Sequence, residues 1–375
     1  MQHLLSLLPS RRCCSVVTKS YSGARHVKKY HYLSSLCHTI TAHQSSNRHS
    51  TSNNNVRHHS TYVRSALSAG PIPYEKGWAW QHVLLQRRMN YMRMQEKRGE
   101  SVSEENYIIE QDKDWILMFE HQPVYTLGRG ATEEYLTFLD NEPDGGLEKR
   151  KRLSRKYRGA DASRLNIDRS HTAHKTSDTS DNTIITEQEE VDELSSQITC
   201  KSQPVLAPNG SPIYRIERGG EVTYHGPGQL VMYPLLNLKH PNYQQDLHWY
   251  LRQIEEVIIQ TLAHFDIKSN RDDINTGVWV GENKIAAVGV SSSRWITTHG
   301  LALNVSPNLE HFDKDIITPC GIEERGVTSI SEVLKGMTSS SSKEHSPDLN
   351  EVADVALKCF GKVFHVDVAE DSPIR

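Results

Sequence analysis

Arg218-Gly-Gly-Glu-Val-Thr-Tyr-His-Gly-Pro-Gly-Gln229 is the stretch on which the reading of this chain turns. It sets glycines and a proline around a His and a Gln, directly ahead of residues 230–236, a run apolar on both faces as a central sheet strand would be. Glycine carries no side chain and tolerates positive φ. Gly219, Gly220 and the Gly226-Pro-Gly228 turn can therefore line a slot with backbone N–H groups, while Arg218, Tyr224 and His225 supply polar contacts. An isolated glycine cluster is more often two tight turns flanking a strand. What tips the balance is a second constellation downstream: Lys284 in Asn-Lys-Ile-Ala-Ala-Val-Gly, His299 in His-Gly-Leu-Ala-Leu-Asn-Val, and Cys320 in Thr-Pro-Cys-Gly-Ile.

In this order the segments resemble the lipoyl (octanoyl) transferases, whose pattern runs RGG, VTYHGPGQLV, YP, KIAA-G, HG-ALN and PCGI. Upstream, Leu117-Met-Phe-Glu-His-Gln-Pro-Val-Tyr-Thr-Leu-Gly-Arg129 is similar to that family's first strand and turn, so the likeness covers residues 73–136 and 212–335. The resemblance implies an α/β fold, a mixed β-sheet with packed helices, shared with lipoate-protein ligases and the catalytic domain of biotin ligases. It also implies a reaction: octanoyl moves from acyl carrier protein to a lysine of lipoyl domains, those of the 2-oxoacid dehydrogenase complexes and the glycine cleavage H protein, through a thioester on the enzyme. Cys320 and Lys284 fall on the family's catalytic pair. Arg218, Gly219, Gly220, Glu221, Val222, Thr223, Tyr224 and His225, then Ala287, Val288 and Gly289, then Gly300, Leu301 and Ala302 fall on its acyl-binding segments. No cofactor and no metal are implied.

The chemistry of these residue types agrees. A thiolate attacks a carbonyl well and also leaves well, so acyl transfer from a thioester to an amine is eased by a second thioester. Pro319 and Gly321 fix one neighbour of Cys320 and free the other, a way of setting a thiol's direction. Taken alone, a cysteine is more often an inert buried hydrophobe. A thiol of pKa about 8.5 also needs a nearby cation or base, a role that Lys284 fits, although a hairpin lysine by itself reads as a solvated charge. His225 and His299 are the competing bases, since Cys-His pairs are the commoner arrangement, and they read here as slot residues. Small side chains suit a narrow channel in which each buried methylene contributes about 0.8 kcal/mol, so depth can select chain length.

Composition bounds the rest. The first 69 of 375 residues contain no Asp or Glu but nine Lys or Arg among abundant Ser, Thr, His and Asn, which reads as a disordered mitochondrial transit peptide and places the enzyme in the matrix. Pro9 and Arg11-Arg12 break the only early apolar run too soon for a secretory signal. Without those nine cations, 34 basic residues face 46 acidic ones, which argues against nonspecific nucleic-acid binding. The six cysteines show no paired spacing, so neither disulfides nor zinc are expected, and no run approaches the ~20 apolar residues of a membrane span. Two rivals share the fold: an ATP-dependent lipoate or octanoate ligase, disfavoured by the absence of a P-loop or glycine-arginine nucleotide loop, and an octanoyl amidotransferase. A catalytically dead module that binds lipoyl domains is the third, opposed by the presence of both Cys320 and Lys284.

The domain is expected over residues 70–375, beginning with a helix over 74–94. Strands follow at 115–119, 124–127, 213–217, 222–224 and 230–236, and a helix at 242–265. A hairpin at 278–280 and 284–290 precedes a strand across 295–305, a helix after the Ser329-Ile-Ser-Glu332 capping box and another at 348–360. Residues 137–211 are polar and charged, with little to bury, and read as a disordered insertion. Arg87, Arg88, Arg93, Lys97 and Arg98 are candidates for a basic patch that would dock acidic partner domains.

Overall fold

The computed structural model describes residues 59–98, 113–154, 186–201, 204–318, 325–337 and 346–374. Cys320 and residues 1–58 lie outside them.

Two sheets form the framework. In chain order the strands are β1 (Ser60–Ser65), β2 (Asp114–Phe119), β3 (Val124–Leu127), β4 (Val205–Leu206), β5 (Pro212–Arg215), β6 (Val222–His225), β7 (Gln229–Leu235), β8 (Asn270–Arg271), β9 (Val278–Val280), β10 (Asn283–Ser293), β11 (Ile296–Asn304), β12 (Gly326–Val327) and β13 (Asp367–Glu370). The larger sheet runs β13-β1-β2-β7-β11-β10-β9-β8, with β12 paired to β10; the smaller runs β4-β5-β3-β6. Pairings in the large sheet are antiparallel from β2 through to β8, whereas β1 runs parallel to both β2 and β13.

The helices are α1 (Tyr74–Arg98), α2 (Leu147–Ser154), α3 (Glu187–Lys201), α4 (Leu247–His264), α5 (Ile330–Met337) and α6 (Leu349–Phe364). Side chains alternate strictly across the central strands. Ile116 and Met118 of β2 with Leu230 and Met232 of β7 meet Ile254, Val257 and Ile258 of α4 and Phe360 and Phe364 of α6. Trp115, Leu117 and Phe119 with Val231, Tyr233 and Leu235 face the other way, onto Tyr74, Trp78 and Val83 of α1. β7 is buried at every residue because helices cover both faces, which is why its sequence shows no polar alternation. The caps are the ones the sequence supplies: Asp246 accepts from the His248 and Trp249 N–H groups, Ser329 from Glu332, and Asp348 from Glu351.

Two expectations are corrected. The folded chain starts before residue 70, since β1 lies between β2 and β13 with Val63 buried, so the acid-free composition extends into the domain. A leader covering all of residues 1–69 would remove a sheet strand. The 137–211 segment also contributes structure: α3 packs on α1, burying Val191 and Leu194 in the same core as Trp78. Its acidic first turn explains the placement, because Glu187 pairs with Arg64 and Arg87, and Glu190 with Arg87. Two of the five residues named for a basic patch are engaged within the fold. Arg87 is spent on α3, Arg88 is buried against Asp114 at 2.8 Å, and the Lys97 and Arg98 side chains lie outside the described residues.

Candidate active site

The segment between β5 and β6 crosses β10 at Gly289 and Val290 and is fastened by backbone bonds to that strand and to the turn after β3. Gly219 N–H donates to the Val290 carbonyl at 2.9 Å, Arg129 N–H to Arg218 at 2.9 Å and Gly130 N–H to Gly220 at 3.0 Å. Bare backbone is required for this approach: a Cβ on Gly289 would stand 2.9 Å from the Gly219 carbonyl oxygen. Gly220 has φ of +81°, a region that side-chain-bearing residues rarely adopt. The Arg218 guanidinium locks the crossing from beneath, donating to the Thr126 carbonyl at 3.0 Å and hydroxyl at 2.8 Å.

Between this segment and the two strands lies a cavity of about 210 Å³. At on the order of 15 Å³ per water-sized group, that is room for a chain of eight carbons and its carbonyl. Of the residues expected at the site, Arg218, Gly220, Glu221, Val222, Thr223, His225, Lys284, Ala287, Val288, Gly289, Gly300, Leu301 and Ala302 line it. Gly219 and Tyr224 are not among its described lining residues. Tyr224 points to the opposite face of β6, where it packs against Tyr125 at 5.2 Å and Phe312 at 5.4 Å between ring centres. His299, read from the sequence as a slot residue, also lines the cavity, whereas sequence reasoning missed Tyr74, Ile216, Tyr233, Ile274, Asn275 and Thr276. Tyr74 carried a signal, as the first residue of an amphipathic helix; the 274–276 loop carried none.

Lys284 is buried on β10. Its Nζ donates to the Thr276 carbonyl at 3.0 Å and lies 4.7 Å from the centre of the Trp279 ring. Across the cavity wall, burial raises the pKa of the Glu221 carboxyl, against the opposing pull of the Tyr135 hydroxyl and the charge of Lys284. Thr318, the last described residue before Cys320, donates its N–H to the Tyr135 carbonyl at 2.9 Å, and Val327 pairs with Lys284 in β12–β10. Arg325 stacks on the Trp279 ring at 3.9 Å and pairs with Asp272 and Glu282.

Burial, with the nearby His121 and Arg218, holds the His225 pKa well below the usual imidazole range; burial also lowers that of His299, against the opposing charge of Glu217. His225 Nδ1 meets Gln229 Oε1 at 2.7 Å, and because Gln229 Nε2 donates to Asn304 Oδ1 at 2.9 Å, that amide oxygen is an acceptor and Nδ1 carries the hydrogen. His299 sits mid-strand at φ +58°, a left-handed conformation costly for a non-glycine residue and typical of functional sites.

A cavity lined by a buried lysine thus sits on a mixed sheet, and the sequence is similar to those of acyl-transferring enzymes. Residues 195–361 match the family model of the lipoyl protein ligase A/B catalytic domain. The octanoyltransferase of Nostoc sp. (strain PCC 7120) is 34% identical over 301 residues, covering 80% of this chain and 92% of that protein. The chloroplastic octanoyltransferase LIP2p2 of Arabidopsis thaliana is 32% identical over 306 residues, 81% and 79% of the two chains. Among solved structures, a lipoate-protein ligase A bound with ATP superposes with a TM-score of 0.45 at 13% identity, covering 85% of this chain and 89% of that one. A bipartite lipoate protein ligase from Thermoplasma acidophilum gives 0.44 at 14%, with 85% and 88% covered. The chain belongs to the octanoyltransferase family and is an acyltransferase. Among the described residues no helix is long and apolar enough to cross a membrane.

Proposed function

We propose that this enzyme takes an octanoyl group from the thioester of acyl carrier protein and places it on a lysine of lipoyl domains, including those of 2-oxoacid dehydrogenase complexes and the glycine cleavage H protein, by way of a thioester on Cys320. The observation that carries the reading is the cavity itself: closed by the 218–225 segment, floored by β10 and β11, and supplied with one buried lysine, in a chain of this family.

In the first half-reaction the Cys320 thiolate attacks the octanoyl carbonyl and the carrier's phosphopantetheine thiolate leaves. Lys284 accepts the cysteine proton and gives it to the departing sulfur. In the second half the acceptor amine attacks the new thioester, Lys284 takes the amine proton, and the cysteine sulfur leaves to recover it. Two facts support the pairing. Lys284 is fixed by Thr276 and Trp279, and the chain a few residues beyond Cys320 pairs directly with Lys284 at Val327. The acid-free, basic residues ahead of β1 support delivery to an organelle, the mitochondrial matrix in this reading.

Incubating the purified chain with octanoyl carrier protein tests the mechanism. An octanoyl mass increment confined to the peptide containing Cys320, and discharged by a lipoyl domain, is the expected result. No adduct, or one that persists in Cys320→Ala, overturns it.

A further inference from the structure

One face of α1 and the residue just ahead of the glycine-rich segment form a buried hydrogen-bonded set that the transfer reaction does not use. Glu217 Oε1 lies 2.9 Å from His299 Nε2 and 2.9 Å from His82 Nε2, and its Oε2 accepts from Trp78 Nε1 at 3.3 Å. His82 is 3% exposed and His299 1%. The His299 backbone N–H donates to Gln81 Oε1 at 2.8 Å, which fixes the orientation of that amide. Gln81 Nε2 is then a donor, 3.4 Å from His299 Nδ1, so Nδ1 accepts and the single ring hydrogen of His299 is on Nε2, directed at Glu217. His82 faces an oxygen at each ring nitrogen, the Trp78 carbonyl at 2.8 Å and the same Glu217 oxygen.

The consequence bears on the cavity. His299 lines it, yet both of its nitrogens are committed within the protein, and what the ring has left to offer a ligand is carbon. We propose that Glu217 is a positioning residue of the acyl site: by holding His299 as the neutral Nε2–H tautomer, turned onto its own carboxylate, it makes that wall apolar and uncharged for an alkyl chain. The proposal rests on the acyl-transfer reading. His225 is arranged in parallel, with Nδ1 on Gln229 and Nε2 within 3.4 Å of the Thr126 hydroxyl. The titratable groups that face His299 are Glu217 and His82, with Arg218 and His225 near enough to act on it electrostatically and Tyr233 edge-on at 5.5 Å. Burial works against its protonation, and Glu217 is kept ionised by His82 and His299 although burial alone would raise its pKa.

The test uses the full chain labelled with 15N-histidine, the His299 signals being assigned by their loss in His299→Gln. In the wild type, without substrate, they are expected to show one neutral Nε2–H tautomer that persists as the pH falls to the ordinary histidine pKa of about 6.5. Glu217→Leu removes the acceptor; the His299 signals should become a tautomer mixture and the KM for octanoyl carrier protein should rise about tenfold, with kcat changed less than about threefold. Glu217→Gln keeps an acceptor oxygen and should recover most of both. A doubly protonated or Nδ1–H His299 in the wild type, unchanged signals and KM in Glu217→Leu, or a Glu217→Gln variant as impaired as the leucine, each overturns the proposal. Absence of octanoyl transfer in the wild type would sink the underlying reading instead, and the substrate-free tautomer measurement would still judge the Glu217–His299 relationship by itself.

Discussion

Lys284 and Thr276 are joined across the cavity by a bond of 3.0 Å from the ammonium to the backbone carbonyl, which spends one of three N–H donors and leaves the charge stacked 4.7 Å from Trp279. A proton shuttle needs this nitrogen to cycle between the amine, whose lone pair takes a proton, and the ammonium, which gives it back. Lys284→Met, which keeps the stem and deletes the ammonium, should lower turnover of octanoyl carrier protein by about 10²–10⁴-fold. Its far-ultraviolet circular dichroism should match the wild type. A variant that is folded and retains most of its activity would show that proton transfer does not run through this residue.

Gly289 and Gly219 touch backbone to backbone. Adding a methyl group at Gly289 brings a Cβ to 2.9 Å from the Gly219 oxygen and 3.2 Å from Arg218 Cδ, so the strap over the cavity must shift. Gly289→Ala should destabilise the fold by about 1–3 kcal/mol, visible as a fall of several degrees in Tm. The same variant should lose octanoyl turnover beyond what its stability explains, because the displaced strap carries Glu221 and His225.

How much of this was legible in the sequence follows from how local each contact is. Strands β6, β7 and β9 to β11, and the capped helices α5 and α6, are specified within windows of a few residues, by glycine turns, alternation and Ser or Asp caps. β1 escaped because its neighbours β2 and β13 are far along the chain and its basic, acid-free surroundings resemble a leader. α3 escaped because, among its described side chains, Val191 and Leu194 are the buried ones, and its docking is completed by arginines on other elements. At the site, the glycines and Lys284 stood out by type and spacing. Glu217 did not, although it adjoins the motif, because its partners Trp78 and His299 are 139 and 82 residues away.

Asp114 is fully buried, with Arg88, His59, Tyr243 and the Asn237 N–H around it. Burial opposes its ionisation, but Arg88, His59 and the Asn237 N–H together outweigh it and draw the pKa down to about 2. A folded-state pKa below the unfolded value of about 3.9 means a stabilising contribution, about 2 kcal/mol, that is complete above the unfolded pKa and is lost as pH falls from there through the folded value. Equilibrium urea unfolding should therefore weaken between about pH 4 and pH 2. In Asp114→Asn the protein should be less stable at pH 7, and this limb of the pH dependence should flatten; an unchanged slope would assign the acid sensitivity to other carboxylates.

Docking of α3 depends on apolar burial more than on charge. Glu187 bridges Arg64 and Arg87 in a partly exposed setting, so Glu187→Ala should cost under about 1 kcal/mol, an effect reduced further by salt. Val191 is 0% exposed, and Val191→Glu would bury an unpaired carboxylate against Trp78 and its neighbours. Amide exchange over residues 187–197 should be accelerated strongly by the second substitution and slightly by the first. Equal protection in both variants would contradict the packing described for this helix.

Ala302 is the position at which selection by cavity depth can be tested. It lies on β11, opposite Ala287 of β10, and both line the space where small side chains leave room for an alkyl chain. Ala302→Leu fills part of that depth with three more carbons. Since each buried methylene contributes about 0.8 kcal/mol, excluding two or three of them from the acyl chain should lower kcat/KM for octanoyl by about 10–100-fold, while a butanoyl or hexanoyl donor is affected far less. The ratio of octanoyl to hexanoyl kcat/KM on the same carrier protein measures this without interference from general loss of activity, which cancels. If that ratio is unchanged while both rates fall together, the acyl chain does not run past Ala302 and must lie along a different wall of the cavity.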